Sequence, residues 1–235
     1  MILTHEEYQQ LKVPHDQKLF ETYHRELESA KNAFAKKDDK ALKKVYKTVR
    51  QFYKRLDSQI QKSTVSKNIN FACDKGCNHC CQIRVEVFGY EVSAINEFIR
   101  KTFSNDEISH LMSKLAVVSA KAKGLRLESH FIPCAFLKDG ECSIYEMRPA
   151  MCRKYYSVSL DGCLNKNQGV EHKVVKEMSF AMISGFSEGA RQAGLRKTVY
   201  EFNQAIHKAL SDPATVKHWL SGVEQFIPIP EITNQ

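Results

Sequence analysis

The 235-residue sequence has no long hydrophobic run. No window approaches the roughly 20 consecutive apolar residues that a membrane-spanning helix requires. Residues 1–7 contain neither the basic start nor the apolar stretch of a secretory signal. We therefore expect a cytoplasmic protein, whose thiols stay reduced. Phosphate-binding loops, His-Glu-x-x-His and Gly-x-Gly-x-x-Gly are also missing, and no catalytic residue is assigned.

Cysteine is missing from residues 1–72 and then becomes abundant. All eight cysteines lie between Cys73 and Cys163. Charge is also unevenly distributed, because residues 1–72 carry +6 of the formal net charge of +8. The hydrophobic content of 43% is ordinary for a globular protein and excludes a disordered chain. The composition therefore predicts a basic N-terminal part joined to a cysteine-bearing part.

Residues 1–68 are predicted to form a basic helical hairpin. Two stretches carry apolar residues at helical spacing, with residues 36–39 as the turn between them and Asp39 as a possible N-cap. The first stripe is Phe20, Tyr23, Leu27, Ala30 and Phe34, and the second is Leu42, Val45, Val49, Phe52, Leu56 and Ile60. Two long helices joined by a short loop usually pack antiparallel.

The second predicted helix also carries a basic face opposite its apolar stripe, formed by Lys40, Lys43, Lys47, Arg50 and Lys54. The simpler interpretation is the solvated side of an amphipathic helix. The alternative is a binding face for an unknown protein partner with an acidic surface, or for nucleic acid. Nucleic acid is the less favoured partner, since no nucleic-acid-binding motif accompanies the face.

The first cysteine cluster places four thiols within nine residues: Cys73, Cys77, Cys80 and Cys81. Cysteines two or three residues apart in a turning loop can aim several sulfurs at one cation. Neighbouring side chains usually diverge, so Cys80 and Cys81 are better suited to serve different ions. His79 is an alternative ligand, although exposure to solvent or donation to a sulfur is the simpler interpretation.

The second cluster contains Cys134, Cys142, Cys152 and Cys163. Asp139-Gly140, flanked by apolar residues, predicts a short β-hairpin that brings Cys134 and Cys142 into one neighbourhood, although not directly opposite each other. Arg148 and Arg153 flank Cys152 and could offset the negative charge of metal-bound thiolates.

Two sequence patterns resemble a known family. They are Cys73-x3-Cys77-x2-Cys80-Cys81, and the run Pro-Cys-x-Phe-Leu-x-Asp-Gly-x-Cys-x-Ile-Tyr-Glu-x-Arg-Pro-x-x-Cys-Arg over 133–153. Both are similar to the YkgJ family, also called the CxxCxxCC cysteine-cluster family. The resemblance covers about residues 70–165 and implies a zinc- or iron-chelating domain. Flagellin lysine methylases contain a similar cluster, so the resemblance is also compatible with an enzyme.

The metal ligands are therefore predicted to be Cys73, Cys77, Cys80, Cys81, Cys134, Cys142, Cys152 and Cys163. Eight thiolates suit zinc in closed four-cysteine sites, and four suit a [4Fe–4S] cluster. The expected function is metal chelation or a metal-stapled interaction module. The alternatives are an iron–sulfur-dependent enzyme such as a protein lysine methylase, and a basic adaptor that binds nucleic acid.

The predicted fold is mainly α, with helical arms around a small, irregular, cysteine-rich core that contains one short β-hairpin. We expect three parts: the basic hairpin at residues 1–68, a cysteine-cluster domain at 69–165, and a helical segment at 166–235 that packs on the core.

Overall fold

The computed structural model describes residues 14–35, 41–73, 76–126, 129–165 and 169–229. These ranges contain nine α-helices, four short strands and two 3₁₀ turns. The helices are α1 (Pro14–Phe34), α2 (Ala41–Ser66), α3 (Gly89–Thr102), α4 (Asn105–Ala122), α5 (Ala150–Lys154), α6 (Leu160–Leu164), α7 (Lys173–Gln192), α8 (Phe202–Ser211) and α9 (Thr215–Leu220). The strands are β1 (Glu86–Phe88), β2 (Leu137–Lys138), β3 (Glu141–Cys142) and β4 (Val199–Glu201), and the 3₁₀ turns span His79–Gln82 and Tyr145–Met147.

The structure is mainly helical and contains the predicted hairpin, so the predicted fold class is confirmed. The second strand pair, β1 with β4, was not predicted; it pairs Val87 with Tyr200. The sequence pattern predicts helix already at Val199, whereas the helix begins at Phe202. The reason is Glu201, whose carboxylate accepts hydrogen bonds from the next helical N–H groups and so ends the strand.

The N-terminal helices belong to the same hydrophobic core as the central and C-terminal helices. The predicted stripe of α2 is buried from Val45 to Ile60, and the Phe52 ring stacks on the Phe186 ring with centroids 4.1 Å apart. The predicted turn at residues 36–39 and its cap Asp39 lie outside the described residues. The boundaries of the three predicted parts stay a prediction.

Helix α1 packs mainly along α7 rather than along α2. Two glycines of α7 allow a very close approach. A Cβ atom at Gly185 would lie 2.1 Å from the carbonyl oxygen of Tyr23, and one at Gly189 would lie 2.0 Å from that of Leu27. The α1–α7 interface is therefore a backbone-to-backbone contact that a side chain at these positions would obstruct.

Helix α4 begins with a capping box. Ser104 caps α4, its hydroxyl accepting from the N–H of Glu107 while the Glu107 carboxylate accepts from the N–H of Ser104. Within the parts of the chain that the structure describes, no helix is both long enough and apolar enough to cross a membrane.

Candidate metal centre

The first cysteine cluster ends in the 3₁₀ turn His79–Gln82, which carries Cys80 and Cys81. The N–H of Cys81 donates to the carbonyl oxygen of Asn78 at 2.9 Å and so helps to close the turn. The Asn78 side-chain amide donates to the carbonyl oxygen of Gly140 at 3.0 Å. This bond joins the first cysteine loop to the tip of the β-hairpin in the second cluster.

A short backbone pairing brings the two clusters into contact. The N–H of Cys134 donates to the carbonyl oxygen of Cys81 at 2.8 Å. Next to this bond, Ile83 and Phe131 form an isolated antiparallel bridge. Residues separated by about fifty positions in the sequence therefore lie side by side at the site.

The β-hairpin has the geometry that its sequence predicts. Asp139 and Gly140 have φ angles of 51° and 85°, the two positive values that a type I′ turn requires. Leu137 stands opposite Cys142 in the ladder. Cys134 lies earlier in the chain than Leu137, so it is near Cys142 without facing it, as the sequence led us to expect.

Six of the eight cysteines line one cavity of about 480 Å³. They are Cys77, Cys80, Cys81, Cys134, Cys142 and Cys152. Cys77 is exposed and the other five are partly buried, and all six are free thiols. The remaining wall is formed largely by the apolar side chains of Ile83, Val85, Phe136, Ile144, Met151 and Phe202.

Cys73 and Cys163 lie beside this cavity rather than in its lining. The sulfur of Cys73 accepts a hydrogen bond from the N–H of Ser157 at 3.2 Å, and Cys163 is buried in α6. Burial raises the pKa of the Cys73 thiol, and repulsion from the thiolates of Cys77, Cys80 and Cys163 raises it further. The two clusters are therefore electrostatically connected.

At four of the six lining cysteines, the raised pKa values favour the protonated thiol. The pKa of the Cys80 thiol lies far above its usual value. The hydrogen bond with the Cys81 thiol is the largest cause, and burial is the second largest. Burial likewise raises the pKa of Cys134, Cys142 and Cys152. Repulsion from Cys80 adds to the shifts of Cys142 and Cys152. Because metals bind thiolates, loading this site must release protons.

Arg148 supplies positive charge at the cavity wall. Its guanidinium lies 4.2 Å from the centroid of the Tyr145 ring, and Nη2 donates to the Tyr156 hydroxyl at 3.3 Å. Burial raises the pKa values of Cys142 and Cys152, and the charge of Arg148 lowers them. This position suits the charge-compensating role predicted for Arg148.

Arg153 is directed away from the cavity, toward α2. It forms an ion pair with Asp57 and lies 4.3 Å from the centroid of the Tyr53 ring. Its Nε donates to the carbonyl oxygen of Arg148 at 2.9 Å. Burial raises the pKa of Cys142, and the charge of Arg153 is among the causes that lower it. The contacts of Arg153, however, mainly anchor the Arg148 backbone to α2.

Two polar residues that position cysteines were not identified from the sequence. Glu91 is buried in α3 and accepts from the N–H of Ala150 at 2.9 Å, at the start of the helix that carries Cys152. The Asn203 side-chain oxygen lies 3.7 Å from the sulfur of Cys134 and accepts from its thiol. Neither role has a local signal, because each depends on a contact between residues distant in the sequence.

One catalytic spacing, Gly185-x-Ser187-x-Gly189, was also not among the predicted sites. In hydrolases this spacing forms a strand-to-helix turn that exposes the serine. Here it lies in the middle of α7, where Ser187 is buried and donates to the carbonyl oxygen of Ser184 at 3.0 Å. The two glycines serve the contact with α1 instead.

The thiols surround the cavity without meeting at one point. Among the described residues, no group of three or more His, Cys, Asp or Glu side chains is placed to hold a metal ion. The donor chemistry fits zinc or iron, since both bind cysteine thiolates, and rotation about χ1 changes where a thiol points. The six lining cysteines, with Cys73 and Cys163 beside them, are the residues that would hold such a metal. His79 is not part of the lining.

Residues 72–179, which include all eight cysteines, match a family model described as "CxxCxxCC: Putative zinc- or iron-chelating domain". The match covers a little under half of the chain and supports this class of metal-binding domain for the central segment. The narrower YkgJ name has no support beyond the sequence resemblance. No curated protein and no solved structure matches the chain significantly.

Proposed function

We propose that the chain chelates zinc or iron through the thiols around the cavity, and that the bound metal staples this loop-rich region. One observation carries the proposal: six free cysteines from separate backbone segments line a single cavity. A metal held there connects the first loop, the segment after Phe131, the hairpin and α5. Zinc is the favoured metal, because closed four-cysteine sites stabilise small irregular regions in this way.

An iron–sulfur-dependent enzyme, such as a protein lysine methylase, is the second candidate. The observation that favours it is the cavity volume of about 480 Å³. This volume lies within the range of roughly 300–1,000 Å³ that is typical of small-molecule sites. The cavity therefore has room for a reacting group beside a metal cluster, which a purely structural zinc site does not need.

Anaerobic purification without added metal or an affinity tag tests the proposal. We expect stoichiometric zinc by elemental analysis, in a colourless protein. Stoichiometric iron with a charge-transfer absorption band would instead support the iron–sulfur enzyme. A folded protein that holds neither metal, before and after incubation with each under reducing conditions, would contradict metal chelation altogether.

The free state of all eight cysteines also bears on location. We propose that the protein works in a reducing compartment, the cytoplasm, where thiols are kept available for metal.

We further propose that the basic face of α2 binds an acidic protein partner. Lys43, Lys47, Arg50 and Lys54 are all exposed, opposite the buried stripe of the same helix. Changing these four residues to glutamate should weaken binding to poly-L-glutamate about tenfold or more at low salt, because the attraction is electrostatic. Binding can be measured by fluorescence anisotropy at low and high salt.

The matched control keeps every charge: Lys43→Arg, Lys47→Arg, Arg50→Lys and Lys54→Arg. It should bind like the unchanged protein, and both variants should unfold at the unchanged temperature. Equal poly-L-glutamate binding by the glutamate variant would contradict the proposal. Preferential, salt-sensitive binding of single-stranded DNA would support the nucleic-acid alternative instead.

A further inference from the structure

The cysteine cavity has a cationic wall in addition to its thiols. Arg84, Arg148 and Lys154 all line it. Lys154 is paired with Glu171 at 2.9 Å, and Arg84 is paired through Nη2 with Glu86 at 2.9 Å. Arg148, by contrast, donates to the Tyr156 hydroxyl and lies over the Tyr145 ring. No carboxylate of the described ranges, Glu86 and Glu141 of the same lining included, forms an ion pair with it.

Two guanidinium N–H groups of this wall have no acceptor among the residues that the structure describes. The Nε atoms of Arg84 and Arg148 are buried and form no hydrogen bond with any residue that the structure describes. The side chain of Arg84 is only 10% exposed. An arginine stays charged, and buried polar N–H groups are nearly always paired. Because these Nε atoms have almost no accessible surface, a ligand in the cavity would meet the outer part of the Arg148 guanidinium, whose charge no described carboxylate neutralises by an ion pair.

The wall around these cations favours an organic ligand over a bare inorganic anion. The side chains of Ile83, Val85 and Met151 line the cavity and are only partly buried, so they offer it an apolar surface. Behind them the buried rings of Phe136 and Phe202 stack with their centroids 5.0 Å apart. A cavity with apolar walls and a few placed polar groups is the usual form of a small-molecule site.

We propose that the cavity binds a small organic carboxylate, with its carboxylate accepting hydrogen bonds from Arg148 and Arg84 and its apolar body against Ile83, Val85 and Met151. Guanidinium and carboxylate form strong, charge-assisted hydrogen bonds of matched geometry. This site lies in the same cavity as the proposed metal site and shares Arg148 with it, but its contacts come from arginines and apolar side chains rather than from thiols, so it can be tested on metal-free protein.

Isothermal titration calorimetry with 4-phenylbutyrate tests the proposal on the whole 235-residue chain. We expect saturable binding that 4-phenylbutanamide, its uncharged amide analogue, does not reproduce. The variant Arg148→Gln should weaken phenylbutyrate binding by about tenfold or more, as expected for a lost charged hydrogen bond. Arg84→Gln should weaken it as well. Arg25→Gln, at an exposed position of α1, is the matched control and should leave binding unchanged.

Any one of three results overturns the proposal: no saturation by phenylbutyrate, equal binding of the acid and the amide, or unchanged binding by folded Arg148→Gln protein. If Arg148→Gln does not fold, the Arg84→Gln variant and the comparison of the acid with the amide still test the proposal. Measuring the metal content of the same samples separates the two hypotheses. Arginine-dependent binding by metal-free protein would leave this site standing while metal chelation fails, and metal without carboxylate binding would do the reverse.

Discussion

Replacing Gly185 by valine is expected to lower the free energy of unfolding by about 3 kcal/mol or more, as a severe case of overpacking. A Cβ at this position would lie 2.1 Å from the Tyr23 carbonyl oxygen. That oxygen belongs to the backbone of α1 and cannot rotate aside as a side chain could. The two helices must therefore separate, which weakens packing on both sides of the contact. Urea unfolding followed by circular dichroism measures the change.

The matched control is Ser184→Val, one position earlier in α7 and exposed to solvent. It introduces the same β-branched side chain into the same helix without a contact to α1. Its effect should stay near the helix-propensity difference, a few tenths of a kcal/mol. Equal losses in the two variants would contradict the close α1–α7 contact.

Much of the helical framework could be predicted from the sequence because its signals are local. The stripe of α2 repeats at helical spacing, and Ser104 with Glu107 forms a complete capping box at the start of α4. The pairing of α1 with α7 could not be predicted, because it joins segments about 160 residues apart. In the sequence, Gly185 and Gly189 fit either a close helix contact or local flexibility, and they do not identify a partner.

Some features of the candidate site could likewise be predicted from the sequence, whereas others could not. The hairpin turn at Asp139-Gly140 was predictable because only certain residues adopt two successive positive φ angles. The bond from the N–H of Cys134 to Cys81 was not predictable, because strand pairing between distant segments has no local signal. The clustering of cysteines in the sequence predicted the chemistry of the site, whereas Glu91 and Asn203 required the folded chain.

The position of Arg148 also changes how the charge of the protein is understood. The formal net charge of +8 is concentrated in the N-terminal residues, on the exposed side of α2. The charge that acts on the thiols, however, is that of a partly buried arginine next to α5. Charge compensation at the cavity is therefore local, and altering the basic face of α2 should leave the cysteine site unaffected.

Replacing Cys80 by serine is expected to reduce bound metal to less than about a tenth of its stoichiometric value, because a serine hydroxyl is not a thiolate ligand. Cys80 is hydrogen-bonded to Cys81. Burial is the main cause of the raised pKa values of Cys142 and Cys152, and the charge of the Cys80 thiolate raises them further. It also contributes to the raised pKa of Cys73, again after burial. Cys80 thus connects the thiols inside the cavity with those beside it.

Elemental analysis of Cys80→Ser protein, purified as the unchanged protein is, measures this effect. Met151→Leu is the matched control, because Met151 lines the same cavity and the substitution nearly conserves volume without removing a thiol. It should retain full metal. Circular dichroism distinguishes metal loss from unfolding, since Cys80 is not among the residues of the hydrophobic core in which α1, α2 and α7 pack. Full metal retention by folded Cys80→Ser protein would exclude Cys80 as a required ligand.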